Sequence, residues 1–138
     1  MAVHGGMLRL QTPGDGATLD ITDGVAQVVR TAGAERGLVT AFAVGSTAAV
    51  TTMEYERGGV ADLKALLERL VPARGDYEHN RLNHDSNSHA HQKAALIGPS
   101  ETIPFVDGRL TLGTWQQIVL IDFDDRPRER SVIVQVVC

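Results

Sequence analysis

Apolar residues recur along this chain with two different periods, and the switches between them mark its elements. Residues 7–11 alternate apolar and polar positions, the period-two pattern of a short strand. Pro13-Gly14-Asp15-Gly16 reads as a turn. Ile21, Val25, Val28, Val29 and Ala32 then follow helical spacing, with Thr18 or Asp20 placed to cap the first turn and Gly33 and Gly37 bracketing the end. Residues 38–44 (LVTAFAV) and 48–53 (AAVTTM) have strand composition and are separated by Gly45-Ser46. Gly58-Gly59 precedes a second helix over 60–71, whose stripe is Leu63, Leu66, Leu67, Leu70 and Val71 and which Pro72 closes. Strands at 102–106 and 110–112 are joined through Asp107-Gly108, a favoured hairpin pair. Strands at 117–123 and 131–137 flank the charged loop DDRPRER. Two main helices among roughly seven strands predict one α+β domain, residues 1–138, with a largely antiparallel sheet.

One stretch fits neither period. Residues 77–91, YEHNRLNHDSNSHAH, hold four of the five histidines, together with Asp85, Asn80, Asn83 and Asn87. So polar a run buries little apolar surface, and folding alone does not account for it. Imidazoles, carboxylates and amides are the groups that bind metals and phosphates and move protons. A short helix is expected over 89–97. His89 and His91 share a side only on an extended backbone; on a helix they diverge by roughly 160–200°, so a site built there uses one of them. His79 and Asp85 approach from the preceding loop. A zinc-like site of His79, His91 and a third ligand is chemically reasonable, although the spacing matches no strong zinc signature. The plainer alternative is a polar loop whose histidines cap backbone groups or meet another subunit.

Composition narrows the classes. The chain is 43% hydrophobic and 22% charged, as an ordinary globular domain is, and its net charge of −4 argues against a nucleic-acid or anionic-membrane partner. No apolar run approaches the roughly 20 residues of a membrane span, and the N-terminus does not have the pattern of a signal peptide. The single cysteine, Cys138, forms no intrachain disulfide, which fits a cytoplasmic protein.

Two further clusters carry chemical groups. In GSTAAVTTMEYE, Ser46 and Thr47 beside Gly45 offer hydroxyls and backbone N–H groups to an anion, and Glu54 and Glu56 offer a base or a Mg²⁺ ligand. In GTWQQIVLIDFDDRPRER, three aspartates resemble a carboxylate metal site, while Arg126, Arg128 and Arg130 resemble a phosphate clamp. The alternative is that these acids and arginines pair with one another. Either Gln116 or Gln117 enters a pocket, because strand neighbours face opposite ways. Trp115 reads as a core or interface anchor. Ser100 has no nucleophile-elbow context.

STAAVTTMEYE (46–56), Asp62-Leu63, LVP (70–72), YEHN (77–80), His91, GPSETIPF (98–105) and GRLTLGTWQQIVLIDFDDRPR (108–128) together resemble the YjbQ-like family, whose members are often called secondary thiamine-phosphate synthases. The resemblance runs in order from about residue 38 onward. It implies a compact α+β homotrimer with a polar pocket near the subunit contacts, and it maps family motif positions onto Glu54, Asp62, His79, Asp85, His91, Lys93 and Gln116 or Gln117. It also implies chemistry. A thiazole phosphate is joined to hydroxymethylpyrimidine diphosphate with release of pyrophosphate. On that reading His79, His91, Glu54 and Asp85 are catalytic, and Ser46, Thr47, Lys93, Gln116, Gln117 and Arg128 hold the small anionic substrate. A divalent ion, zinc or magnesium, would sit on His79, His91 and His89. Many relatives carry a histidine and an asparagine where this chain has Gly45 and Met53, and His89 is the residue placed to substitute for the missing ligand. The competing expectation is a non-catalytic homotrimer that binds a metal or a metabolite.

Overall fold

The computed structural model describes residues 1–138. Its elements in order are β1 (Val3–Thr12), β2 (Ala17–Asp20), α1 (Thr22–Ala32), β3 (Arg36–Val44), β4 (Ala48–Met53), α2 (Arg57–Leu70), α3 (Glu78–Asn83), α4 (Ser88–Ile97), β5 (Ser100–Val106), β6 (Arg109–Leu110), β7 (Gln117–Asp122) and β8 (Arg128–Val137). Every strand pair is antiparallel. They form a five-stranded sheet, β1-β8-β3-β5-β6, and a three-stranded sheet, β2-β7-β4. The α+β class and single antiparallel domain follow the sequence expectation, as do the two main helices and the short one near 89–97; α3 and the short β2 are added.

The sheets stack as layers, and β7 shows why. Its apolar run has no polar alternation because both of its faces are covered. Ile118 and Leu120 point into the main core between the two sheets, with Val39 and Ala41 of β3, Val132 and Val134 of β8, and Val25 and Val29 of α1. Val119 and Ile121 point the other way, against Leu67 of α2 and Ala90 and Ala94 of α4. The order through the molecule is therefore large sheet, small sheet, helix layer. α1 begins where Asp20 Oδ1 accepts from the Thr22 N–H at 2.9 Å and the Thr22 hydroxyl at 2.6 Å, so Asp20 serves its first turn and Thr18 lies in β2.

Elsewhere the chain departs from its pattern. α2 starts three residues early, at Arg57, because the Glu56 carboxylate accepts from the N–H groups of Gly58 and Gly59 and caps it. Its stripe is only partly used: Leu67 and Val71 are buried, but Leu66 and Leu70 stay exposed. α3 lies inside the segment expected to be loop. β8 begins at Arg128, so the last three residues of the charged loop are strand, with Arg130 opposite Leu10 of β1. Asp107 and Gly108 both take positive φ, as the two-residue hairpin between β5 and β6 requires. Gly14 also has positive φ (+72°), and a Cβ there would lie 2.5 Å from the Arg126 carbonyl oxygen, which locks the first turn against the segment before β8. No helix is long and apolar enough to cross a membrane.

Candidate functional site

The polar run folds as two helical pieces, α3 and α4, joined by a short loop. His84 ends α3 in the left-handed conformation and stays exposed. The asparagines do the holding. Asn80 Oδ1 accepts from the Ser88 N–H at 3.0 Å, in the first turn of α4. Asn87, itself buried, presents Oδ1 to His79 Nε2 at 3.2 Å, while Asn83 Nδ2 donates to the His79 carbonyl at 3.0 Å and lies 3.4 Å from His79 Nδ1. Asp85 Oδ2 stands 3.8 Å from His79 Nε2.

α4 is helical through both H-x-H histidines, so the rings diverge. His91 turns toward β4, where its Nδ1 donates to the Ser46 carbonyl at 3.2 Å. Its ring meets that of His79 at a centroid distance of 4.7 Å and an interplanar angle of 59°. A donor bond at Nδ1 leaves Nε2 as the lone-pair nitrogen of a neutral ring, or as a second donor once the ring is protonated. His79, His91, Asp85 and the Ser46 backbone are thus the part of the expected site that one chain brings together.

Beneath Ser46 lies a buried ion network. Arg130 donates to Asp122 Oδ2 through Nε at 2.8 Å, and through Nη2 to Asp122 Oδ1 at 2.7 Å and to the Thr47 hydroxyl at 2.6 Å. Thr47 donates in turn to Asp124 Oδ2 at 3.0 Å, and Arg128 reaches the same oxygen at 2.8 Å. Thr12 donates to Asp122. Burial alone would raise the Asp124 carboxyl, but the Asp125 N–H, the Thr47 hydroxyl and Arg128 outweigh it and hold Asp124 at about 2. Asp122 is likewise lowered, the Arg130 and Thr12 bonds overcoming its burial. The mutual-pairing alternative therefore describes this cluster: Thr47 and Arg128, expected to contact phosphate, have their polar groups engaged here. Gly45 is part of the same packing. Its φ is +142°, and a Cβ would come within 2.8 Å of Arg130 Nη1, which is pinned by its bonds. The space that a side chain at position 45 would need is closed by that guanidinium.

The remaining expected residues lie elsewhere. His89 and Lys93 share the opposite face of α4 from His91, so the anticipated His79–His91–His89 metal set does not form. Helical geometry separates its members, and no three His, Cys, Asp or Glu side chains of the chain converge as metal ligands. His89 is buried and its Nδ1 has no hydrogen-bond partner. Burial, with Lys93 beside it, pushes its imidazole below the ordinary value. Lys93 is buried too, and its Nζ bonds Glu68 Oε2 of α2 at 2.9 Å; that bond lowers the Glu68 carboxyl. Glu54, Gln116 and Gln117 sit at the far end of β4 from Ser46, roughly 16 Å along a six-residue strand. There Gln117 Oε1 accepts from the Tyr55 N–H at 2.8 Å, and Gln116 Nε2 donates to the Thr52 hydroxyl at 3.0 Å. Trp115 is 71% exposed, which removes it from the core. Sequence reasoning gave no role to Thr12, named Asn87 only among the asparagines of the polar run, and left Glu68 on the solvent side of its helix, where it instead pairs with Lys93. The asparagine count in the polar run was the one available signal.

The comparisons with known proteins agree with this architecture. Residues 6–138 match the family described as UPF0047 protein YjbQ-like. A UPF0047 protein of Archaeoglobus fulgidus is 43% identical, over 93% of this chain and 97% of its own length. One from Methanothermobacter thermautotrophicus is 35% identical, over 99% and 93%. Among solved structures, a YbjQ-like protein of unknown function from Sulfolobus solfataricus superposes with a TM-score of 0.88 at 30% identity, over 98% of both chains. A hypothetical protein from Aeropyrum pernix superposes with a TM-score of 0.89 at 34% identity, over 96% of this chain and 97% of that one. Matched from near its first strand to its last residue, in sequence and in fold, the chain belongs to the YjbQ/UPF0047 family.

Proposed function

We propose that the chain is a small-anion enzyme of the secondary thiamine-phosphate synthase type, working as a cytoplasmic homotrimer with the His79–His91 pair at its centre. The observation that supports this reading is the oriented His91 ring, with Nδ1 on a backbone carbonyl and Nε2 left for a substrate. In the reaction the thiazole nitrogen forms a C–N bond to the pyrimidine methylene. The C–O bond to the diphosphate breaks, and pyrophosphate leaves with the electron pair. The attacking nitrogen carries no proton, so the work left to side chains is positioning and stabilising charge on the leaving group. Protonated His91 donates from Nε2 to a phosphate oxygen. His79, held by Asn87 and Asn83, packs against that ring and keeps its angle.

The ligand set of a single chain does not fit a metal, and no step here is routed through one. A zinc or magnesium ion would require donors from a second copy as well. Assembly also bears on Glu54 and Gln116, which lie too far along β4 to reach their own histidine pair and on this reading face the pair of a neighbouring copy. Support for association comes from the outer face of the large sheet, where Leu38, Phe42, Val44 and Ile133 are exposed in adjacent strands.

The test is turnover by the assembled protein, supplied with thiazole phosphate and hydroxymethylpyrimidine diphosphate and read as thiamine phosphate formed. His91→Ala is expected to lose about 100-fold or more, the scale of a positioned acid. Equal rates in the two proteins would remove the enzyme reading and leave a trimer that only binds its ligand.

A further inference from the structure

We infer that the cleft beneath α2 is a second ligand site, which takes a small molecule with a flat apolar body and a carboxylate, anchored on Lys93. It lies on the other face of α4 from His91 and does not depend on the histidine pair. Its volume is about 450 Å³, within the range of small-molecule sites. Ile121 and Phe123 form its floor, and Leu63 and Leu67 of α2 face them. α2 is 14 residues long yet buries only Leu67 completely, so the helix stands off the sheet and leaves the space open.

Two polar groups distinguish this space from a packing defect. The first is the Lys93 ammonium, the one buried charge in the lining. Its single hydrogen-bond partner is the Glu68 carboxylate, whose side chain is half exposed at the rim. A ligand carboxylate can take the place of Glu68 on Nζ while Glu68 swings into water. One carboxylate then replaces another, and the buried ammonium is never left unpaired. Glu68 is in this sense a placeholder. The second group is His89, whose buried ring lines the cleft beside Lys93. At the mouth Lys64 pairs with the exposed Asp15 at 3.6 Å, so the preference for an anionic ligand rests on Lys93.

Calorimetric titration of the full chain with 2-naphthoate tests the proposal, with 2-naphthalenemethanol and 2-naphthylmethylamine as the neutral and cationic counterparts. One 2-naphthoate is expected per chain, bound at least tenfold more tightly than either counterpart. Amide shifts should centre on residues 61–68, 89–93 and 121–123. Lys93→Met should weaken binding at least tenfold, and Glu68→Gln should strengthen it several-fold. Ala65→Trp fills the cleft without changing charge and should abolish binding, while His91→Ala should leave it unchanged. The proposal is overturned by absence of binding at millimolar 2-naphthoate, by equal affinity for the alcohol or the amine, or by shifts confined to residues 38–44 and 131–137. Wild-type affinity in folded Lys93→Met or Ala65→Trp also overturns it, and weaker binding in Glu68→Gln overturns the placeholder role.

Discussion

Asp124 carries the clearest consequence at the scale of single residues. Its carboxyl is fully buried yet held at about 2, against an ordinary value of 3.8, because Asp125, Thr47 and Arg128 all donate to the ionised form. A carboxylate whose folded value is depressed stabilises the fold at every pH above its unfolded value, and that stabilisation is lost as pH falls from 3.8 through about 2. The shift corresponds to a contribution on the order of 2 kcal/mol. Urea unfolding between pH 5 and pH 2 should show stability falling across this window, and Asp124→Asn should flatten that part of the slope; an unchanged slope in the variant would place the pH dependence elsewhere. The acids and arginines of this network were legible in the sequence as a group that pairs with itself. Thr12 and Thr47 were not, since their partners lie 110 and 77 residues away and neither hydroxyl belongs to any local pattern.

At the scale of elements, α4 was legible and α3 was not, for the same reason. A helix announces itself through the face that it buries. α4 buries Ala90 and Ala94 against the small sheet, and its H-x-H pair follows the geometry of 3.6 residues per turn, one ring to each side. α3 buries no residue, is six residues long and reads as uniform polarity. What identifies it is a left-handed residue at its end, His84 with φ 51°, a position normally given to glycine or asparagine. His84 makes no contribution to the histidine pair, so its backbone can be relieved without touching the site. His84→Gly is expected to raise stability by up to about 1 kcal/mol, measured by chemical denaturation, with the His79 and His91 ring resonances unmoved. A loss of stability would mean that the imidazole makes a contact that offsets its strained φ. β4 is the opposite case: its bounds, Ala48–Met53, coincide with the expected strand because Gly45-Ser46 and the Glu54-Tyr55-Glu56 segment interrupt the apolar run on either side.

The whole molecule is three layers of which only two interfaces are closed. Inward from the large sheet, Val132, Val134 and Val136 of β8 are completely buried; outward, Ile133 and Val137 of the same strand are 40% and 37% exposed. Register then builds these outward residues into rungs, Val3–Val137–Leu38 and Met7–Ile133–Phe42, so the apolar side chains form continuous rows across β1, β8 and β3. A strand of a sheet with one wet face would alternate apolar and polar; β3 departs from this with Leu38, Phe42 and Val44 outward, and β8 with Ile133 and Val137. Their sequences were readable as strands, but one chain cannot show what covers their outer side. We propose that trimer association covers it, and that a site shared between copies would draw Glu54 and Gln116 from a neighbour. Because the outer rows are separate from the core, a charge placed there should break assembly and spare the fold. Phe42→Glu, alone or with Ile133→Glu, is expected to reduce the mass measured by light scattering from three chains to one, with the circular dichroism spectrum retained. Turnover of the thiamine precursors should fall with the mass if the site is shared between copies. A variant that remains trimeric would move the interface to another surface, and one that is monomeric but fully active would confine the site to a single chain.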